Sequence, residues 1–553
     1  MIEIICTNGD IKRKFKFPLG ITLAQIATEI GISLKHPTLG ALVNNKVKEL
    51  SYQVFKPKQI EFFDITHNSG YQMYLRSLSF VLFHAVKQLF PEALLIIQHS
   101  ISGGKYCEFE NLGTPLNQEV IDRIQAKMEE IVAEDVPFER EQLLTTDALE
   151  LFQKHGLSDK SLLFRSRNLL YTSVYHLQES INYYYGFLMP STAYVTVFNL
   201  EFYHQGMLLQ PPSRHNPFQT ARINPQVKLF NIFQEHKKWI SILGVPHVGE
   251  LNIAVEEKRT SELIQVSEAL HEKSVAAIAD DIHRHENVKM VLISGPSSSG
   301  KTTFCKRLSV QLEVLGYKPV QVSIDNYFVE REQTPKDERG EYDFECLQAI
   351  DLKLFNNHLI ELLNGNHVEI PTFDFAAGKK VYSGSKIKMN EKSILILEGI
   401  HGLNPQLTSM IENKFKYKIF VSALTQIAID NQNPIPTTDN RLIRRIVRDY
   451  RYRGYSALDT LKRWTSVRKG EEKWIFPYQE QADIMFNSAL LCELSLLKYY
   501  AEPILRDVPE TVPQYAEAVR LLKFLSYFKV IVEHDVPPTS ILREFFGGSS
   551  FVY

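Results

Sequence analysis

Val288-Lys-Met-Val-Leu-Ile-Ser-Gly295-Pro296-Ser297-Ser298-Ser299-Gly300-Lys301-Thr302-Thr303 is the stretch whose reading decides the fold. Met290 to Ile293 is an apolar run of strand character, Gly295 to Thr302 fits G-x-x-x-x-G-K-[ST] without a mismatch, and Phe304 to Leu315 suits a helix. Strand, glycine loop and helix in that order predict a P-loop at the edge of a parallel sheet. The chemistry accounts for the residue types. The glycines let backbone N–H groups from Gly295 to Thr303 turn toward phosphate oxygens at a helix N-terminus. Lys301 reaches the outer phosphates of a bound nucleotide, and the Thr302 hydroxyl is a candidate Mg²⁺ ligand.

Bulk properties narrow the rest. A chain of 553 residues has room for three or four domains at about 150 residues each. With 44% hydrophobic and 23% charged residues and a net charge of −2, it has no global field to attract nucleic acid or an anionic membrane. Cys6, Cys107, Cys305, Cys346 and Cys492 are scattered without a C-x-x-C, which suggests neither a zinc ribbon nor a disulfide framework. MIEIICTNGD lacks the pattern of a signal peptide, and no apolar run reaches about 18 residues. A cytoplasmic protein with no membrane partner is expected.

Residues 1–17 read as a hairpin, with Ile2, Ile4 and Cys6 alternating before Asn8-Gly9-Asp10 and Ile11, Arg13, Phe15 and Phe17 alternating after it. A helix over Leu23 to Ile30 and strands near Ala41 to Val47 and Gln59 to Phe63 complete a small α+β unit over 1–65. This unit resembles the ubiquitin-like TGS domain at the front of threonyl-tRNA synthetases, which implies contact with RNA or another ligand and no catalysis. Phe83-His-Ala-Val-Lys-Gln-Leu-Phe-Pro91 and Glu179-Ser-Ile-Asn-Tyr-Tyr-Tyr-Gly-Phe-Leu-Met-Pro190 extend the likeness over 68–240, to the domain in which those synthetases edit mischarged tRNA. That family carries H-x-x-x-H and C-x-x-x-H; here Arg76 and Phe80 stand at the histidine positions, and Tyr184 and Leu188 at the cysteine and histidine. The block reads as a scaffold without editing chemistry, with His84 a hydrogen-bonded core residue. Residues 241–287 read as a helical connector in which His271, His283 and His285 are expected to be solvated.

Beyond the P-loop, Lys318 to Ile324 predicts a buried strand that delivers Asp325 to its carboxyl end, where ligands bind in open α/β sheets. Asp325 is therefore the candidate general base for a hydroxyl nucleophile. Ser393 to Glu398 predicts a second apolar strand ending in an acid, whose charge suits the neighbourhood of a cation. In Asp439-Asn-Arg441-Leu-Ile-Arg444-Arg445-Ile-Val-Arg448-Asp449, the arginines share one helical face and are expected to stand unpaired until an anion arrives.

With Glu341-Tyr342-Asp343-Phe and Pro371-Thr-Phe-Asp374-Phe375, the order of these segments resembles the uridine kinase and phosphoribulokinase family, uridine–cytidine kinases most closely, over about 288–505. The resemblance implies Asp325 as base on a nucleoside 5′-hydroxyl, Thr302 and Glu398 as holders of Mg²⁺, and Asp343 as the grip on the ribose. It implies Tyr327, Tyr342, Asp374 and Phe375 as the nucleoside pocket, and a lid in which Arg441 and Arg445 act on the transferring phosphoryl group while Arg444 and Arg448 hold the nucleotide. One departure is the run Ala376-Ala-Gly-Lys379-Lys380, where that family has a base-reading histidine, so the preferred base is open. The tail, 506–553, predicts a helix around Tyr515 to Phe528, a fraying Gly547-Gly-Ser-Ser end and no chemistry.

The sequence thus predicts an α/β P-loop kinase with ATP and Mg²⁺ as cofactors, behind two α+β modules, acting on a nucleoside such as uridine or cytidine. A phosphoribulokinase-like sugar-phosphate kinase, using Lys379 and Lys380 for a second phosphate, is one rival. An RNA-binding regulatory NTPase is another, disfavoured by the acidic Glu108, Glu110, Glu129, Glu130, Glu134 and Asp135. Homo-oligomerisation is left open.

Overall fold

Five parallel strands carry the P-loop, in the order Lys318–Ser323, Ser393–Glu398, Met290–Ser294, Lys416–Ser422 and Ile484–Asn487. The computed structural model describes all residues except 9, 10, 337–339, 341, 375, 376 and 553, so Phe375 lies outside the described residues. Alternation along the central strand divides two cores. Val291 and Ile293 join the large core shared with the front of the chain, whereas Met290 and Leu292 face a second cluster with Phe355 and Leu359. A strand buried on both faces is the signature of a covered parallel sheet. Its carboxyl edge gathers the P-loop, Asp325 and Glu398, because register pairs Glu398 with Ile293 on one side and Ser323 on the other.

At the front, a mixed sheet of Ile11–Phe17, Ile2–Asn8, Lys58–Phe63, Gly40–Val43 and Lys46–Glu49 encloses its own core around Ile4, Leu23, Ile26 and Ile60. The helix Asn68–Leu89 follows, with a four-stranded sheet (Asn199–Tyr203, Gly206–Gln210, Gly104–Glu110, Leu94–Ile101) and a three-stranded one (Glu139–Leu144, Tyr171–Leu177, Ser180–Asn182). Phe80 is fully buried, 5.6 Å from the Tyr184 ring, and Leu188 is buried with them. Arg76 Nε donates to the Phe187 carbonyl at 3.0 Å, and His84 bonds Ser180 Oγ at 2.8 Å. The four substituted positions are therefore filled by packing.

Helix Val227–Leu243 crosses the expected 240/241 boundary, and Val248–Glu256 and Thr260–Arg284 continue to the P-loop sheet. His271 corrects the expectation of a solvated residue. It is buried and its Nε2 lies 3.1 Å from the Ala489 carbonyl, because its helix packs against the P-loop helix Lys301–Val314. His283 and His285 are exposed.

The front modules and the P-loop domain meet at a buried polar knot. The hairpin of Ala428–Asp430 and Asn433–Pro434, from the P-loop domain, enters the second block. There fully buried Lys160 reaches Asp430 at 3.2 Å, Gln432 at 2.5 Å and Asp159 at 3.4 Å. The Ile97 amide donates to the Asn431 carbonyl at 2.8 Å, and Asn433 Nδ2 to the Tyr183 carbonyl at 2.9 Å. Removing one partner of a buried ion pair costs about 3–5 kcal/mol. Lys160→Met should therefore lower the apparent unfolding free energy by about that amount in urea titration, with the front modules and the P-loop domain unfolding together; a wild-type midpoint would mean that the knot contributes nothing.

Candidate active site

Gly300 caps the P-loop helix with φ +81°, an angle glycine adopts without penalty, and a Cβ there would lie 2.6 Å from Ile541 Cγ2. Ser298 Oγ and Ser299 Oγ are buried with no partner among the described residues, and Lys301 Nζ folds back to the Pro296 carbonyl at 3.3 Å. Orphaned hydroxyls and an ammonium satisfied only by its own loop are what phosphate oxygens would complete.

Asp325 and Glu398 face this loop. Burial favours the neutral form of both and Lys301 opposes it; Glu398 is pushed up to about 7. A cation beside Glu398 would reverse that shift. With the half-buried Thr302 hydroxyl, it makes a donor pair that fits Mg²⁺, which retains waters and phosphate oxygens as its other ligands. No group of three or more His, Cys, Asp or Glu suited to a metal occurs among the described residues.

The sequence reading missed Glu345. Burial pushes it up to about 7, with Arg445 opposing the shift and the Glu471, Asp325 and Asp343 carboxylates adding to it. Asp343 Oδ1 accepts from the Glu345 amide at 3.1 Å, which fixes the turn opposite the P-loop.

The arginine helix, Thr437–Arg453, departs most from expectation. Its arginines are neither unpaired nor on a solvated face. Buried Arg441 donates to Glu471 at 2.5 and 2.6 Å, and buried Arg444 to Glu493 at 2.8 and 2.6 Å. Glu471 also accepts from the Ser297 amide at 3.1 Å, which joins the helix pair to the loop. Arg445 bonds Ser297 Oγ at 2.8 Å and Asp449 at 3.2 Å, while Arg448 lies 3.5 Å from Asp449. Asp439 is held by Arg520 of the tail at 2.7 and 2.8 Å. Arg445, at Ser297 Oγ, and Arg444, whose Nη1 lies 3.4 Å from the Ser298 carbonyl, touch the loop directly, while the buried pairs of Arg441 and Arg444 hold the helix in place.

The tail is also corrected. Its last helical turn, Arg543–Phe546, sits on the P-loop, where Glu544 Oε2 accepts from Thr303 Oγ1 at 2.7 Å and from the Thr303 amide at 3.4 Å. Arg448 is 4.0 Å from the same carboxylate, and the Arg444 guanidinium lies 4.9 Å from the Phe545 ring centroid. Glu544 occupies a helix N-terminal amide and hydroxyl of the kind that phosphate takes. Its signal in sequence was one acid among aromatics, without a motif.

Of the expected pocket aromatics, Tyr327 is instead a core residue, fully buried, edge-on to Phe355 at 4.9 Å, with its hydroxyl 3.1 Å from His358 Nδ1. Tyr342 is exposed beneath Lys336, 5.4 Å from the ring centroid. Asp374 ends a strand of the hairpin Thr372–Asp374 and Lys379–Val381, and accepts from the Ala377 amide at 2.9 Å. Lys380 is paired with Asp351 at 2.7 Å.

A parallel sheet with this loop, an acid ending the strand beside it and a second acid just past the next strand out, defines the class of P-loop phosphotransferases. Residues 290–493 match the model of the Phosphoribulokinase / Uridine kinase family. Over 194 residues the chain is 30% identical to the uridine kinase of Staphylococcus aureus, covering 35% of this chain and 84% of that protein. The chain belongs to this family, whose domain it carries at residues 290–493. Its N-terminal region is similar to threonine–tRNA ligases, at 32% identity over 154 residues to that of Desulforamulus reducens. That match covers 28% of this chain and 24% of the ligase, so the chain spans about a quarter of such a relative's length. A possible uridine kinase from Bacillus stearothermophilus superposes with a TM-score of 0.25 at 16% identity, over 36% of this chain and 89% of that one. For D-glycerate 3-kinase from Cryptococcus neoformans the TM-score is 0.22 at 14% identity, over 46% and 87%. No helix among the described residues is long and apolar enough to cross a membrane.

Two outcomes follow from this geometry. Glu544→Ala should tighten binding of a non-hydrolysable ATP analogue about tenfold, since a hydrogen bond with a charged partner contributes about 1.5 kcal/mol; unchanged or weaker binding in a fluorescence titration would mean that the carboxylate does not compete with phosphate. A carboxylate must lose its proton to hold a cation, so a group raised to about 7 binds Mg²⁺ poorly below that pH and well above it. Mg²⁺-dependent analogue binding should therefore strengthen between about pH 6 and 8, and Glu398→Gln should remove the dependence.

Proposed function

We propose that the protein transfers the γ-phosphoryl group of ATP to the 5′-hydroxyl of a nucleoside, with uridine or cytidine as first acceptors. The observation that carries the reading is the placing of Asp325. It stands at a strand's carboxyl end between Lys301 and Glu398, in surroundings that raise its affinity for a proton. A carboxylate so held can take the hydroxyl proton as the oxygen attacks in line. Lys301, Arg445 and Arg448 would offset charge on the phosphoryl oxygens, and Mg²⁺ held at Thr302 and Glu398 would supply further neutralisation. Arg441 and Arg444 act indirectly, by fixing the helix that presents Arg445 at 2.8 Å from Ser297. Pairing of Lys380 with Asp351 leaves the sugar-phosphate reading without one of its two cations.

The front modules, as we read them, supply no catalytic group. The support is the packing of Phe80, Tyr184 and Leu188 where a polar editing constellation would need space.

The test is an ATP-consumption assay with Mg²⁺ against uridine, cytidine, adenosine, guanosine, thymidine and ribulose 5-phosphate, with acceptor-free and tRNA controls. Turnover with one or two nucleosides is expected. Asp325→Asn and Lys301→Ala should each reduce it at least about 100-fold, with ATP binding retained in Asp325→Asn. Consumption confined to the acceptor-free or tRNA arms, or near-normal turnover by Asp325→Asn, would overturn the assignment.

A further inference from the structure

Away from the P-loop, cations from five separate stretches of chain gather along the seam where the tail helix Tyr515–Leu525 packs against the front modules. They are Lys48 of strand Lys46–Glu49, Arg76 of the long helix, Arg140 of strand Glu139–Leu144, Arg167 just past helix Ser158–Arg165, and Lys523 of the tail. Shared walls tie them together. Phe187 takes the Arg76 Nε bond on its carbonyl at 3.0 Å, and its ring centroid lies 5.3 Å from the Arg140 guanidinium. Arg76 lies 5.9 Å from the Tyr185 ring centroid, and Arg167 3.9 Å from that of Tyr527. Arg167 also donates at 2.9 Å to Ser526, one turn along the chain from Lys523.

Anions do not balance this group. Glu49 accepts from Arg140 at 2.9 Å, and both Asp439 and Glu517 are taken by Arg520. Among the described residues no ion pair reaches Lys48, Arg76, Arg167 or Lys523, and Arg167 Nε is buried without a partner. Lys523 keeps an open face to solvent, yet the desolvating walls of the seam, together with repulsion from Arg76, Arg140, Arg167 and Lys48, pull it down to about 7. Burial likewise lowers Arg76 and Lys48. Like charges gathered along one seam repel one another until an anion binds among them.

We propose that this seam is a binding site for the phosphate chain of a small, multiply charged ligand, a di- or triphosphate, distinct from the P-loop. Three guanidiniums offer forked donors that match phosphate oxygens, and Lys48 and Lys523 add point charges at the rim. The site adjoins the kinase, because Arg520, one turn before Lys523, grips Asp439 at the start of the arginine helix.

Full-length Lys301→Ala protein, with P-loop affinity for phosphate weakened, is titrated with inorganic tripolyphosphate by calorimetry. One site is expected, weakened at least about tenfold, or 1.4 kcal/mol, by adding Lys523→Ala or Arg167→Gln, and weakened further by salt. Without ligand, Lys523→Ala should melt at the same temperature or higher, because a repelling charge is gone, and it should lose the stabilisation that tripolyphosphate gives its parent. Binding that neither seam variant alters, or no binding at all, would overturn the proposal, as would a lower melting temperature for ligand-free Lys523→Ala. None of these readouts depends on which nucleoside the kinase accepts, so they fail or succeed separately from the proposed activity.

Discussion

A guanidinium cannot shed its charge inside a protein, so burying one commits the fold to bringing it a carboxylate. Arg441 and Arg444 are both buried, and much of the kinase is arranged around meeting that demand. Glu471 answers Arg441 from helix Ala457–Trp474, and Glu493 answers Arg444 from the start of helix Glu493–Arg506. Glu471 also receives the Ser297 amide, and Ser488, which receives Arg444 Nη1 at 3.1 Å, bonds the Ser299 carbonyl at 2.5 Å. The phosphate loop is therefore clamped from outside by the groups that neutralise the arginine helix, and the helix has little freedom to swing as an independent lid.

The same demand explains the tail. Asp439, in the first turn of the arginine helix, is held bidentately by Arg520, and Arg448 faces Glu544. Tail side chains then continue into the large core, where Phe524, Tyr527, Phe545 and Phe546 lie with Val291 and Ile293 of the P-loop strand and with Phe80 and Phe164 of the second block. A segment that shares a core with three parts of the chain is structural, whatever its position in sequence. Its Glu544 carboxylate accepts from the Thr303 amide and hydroxyl in the first turn of the loop's helix.

What could be read in the sequence was local. The glycine loop, the apolar strands and the acids that end them follow from patterns within about ten residues, and the parallel sheet then brings Asp325 and Glu398 to one edge. Glu345, Glu471, Glu493 and Glu544 were illegible because nothing near them in sequence differs from an ordinary polar position; Glu471 pairs with nearby Arg468, but its meaning comes from Arg441, 30 residues away, and that of Glu493 from Arg444, 49 residues away. Tyr327 was misread for a related reason. An aromatic beside a strand-end acid fits a ligand wall or a core equally well, and Phe355 and His358, which decide between them, come from a different helix. The shared helical face of the arginines was legible, and their pairing was not.

The front modules carry this argument one step further. The small first sheet keeps a core of its own, but the second block does not: its aromatics merge with the kinase core, and Lys160, its most deeply buried charge, is met by Asp430 and Gln432 of the kinase. Separated from the kinase, that lysine would keep only Asp159, one residue before it and 3.4 Å away, while the apolar face beside it would meet water. The packing of Phe80, Tyr184 and Leu188 belongs to this same core. Filling those positions with apolar side chains and docking onto the P-loop domain therefore bury one continuous surface, and the second block serves as part of that domain's wall.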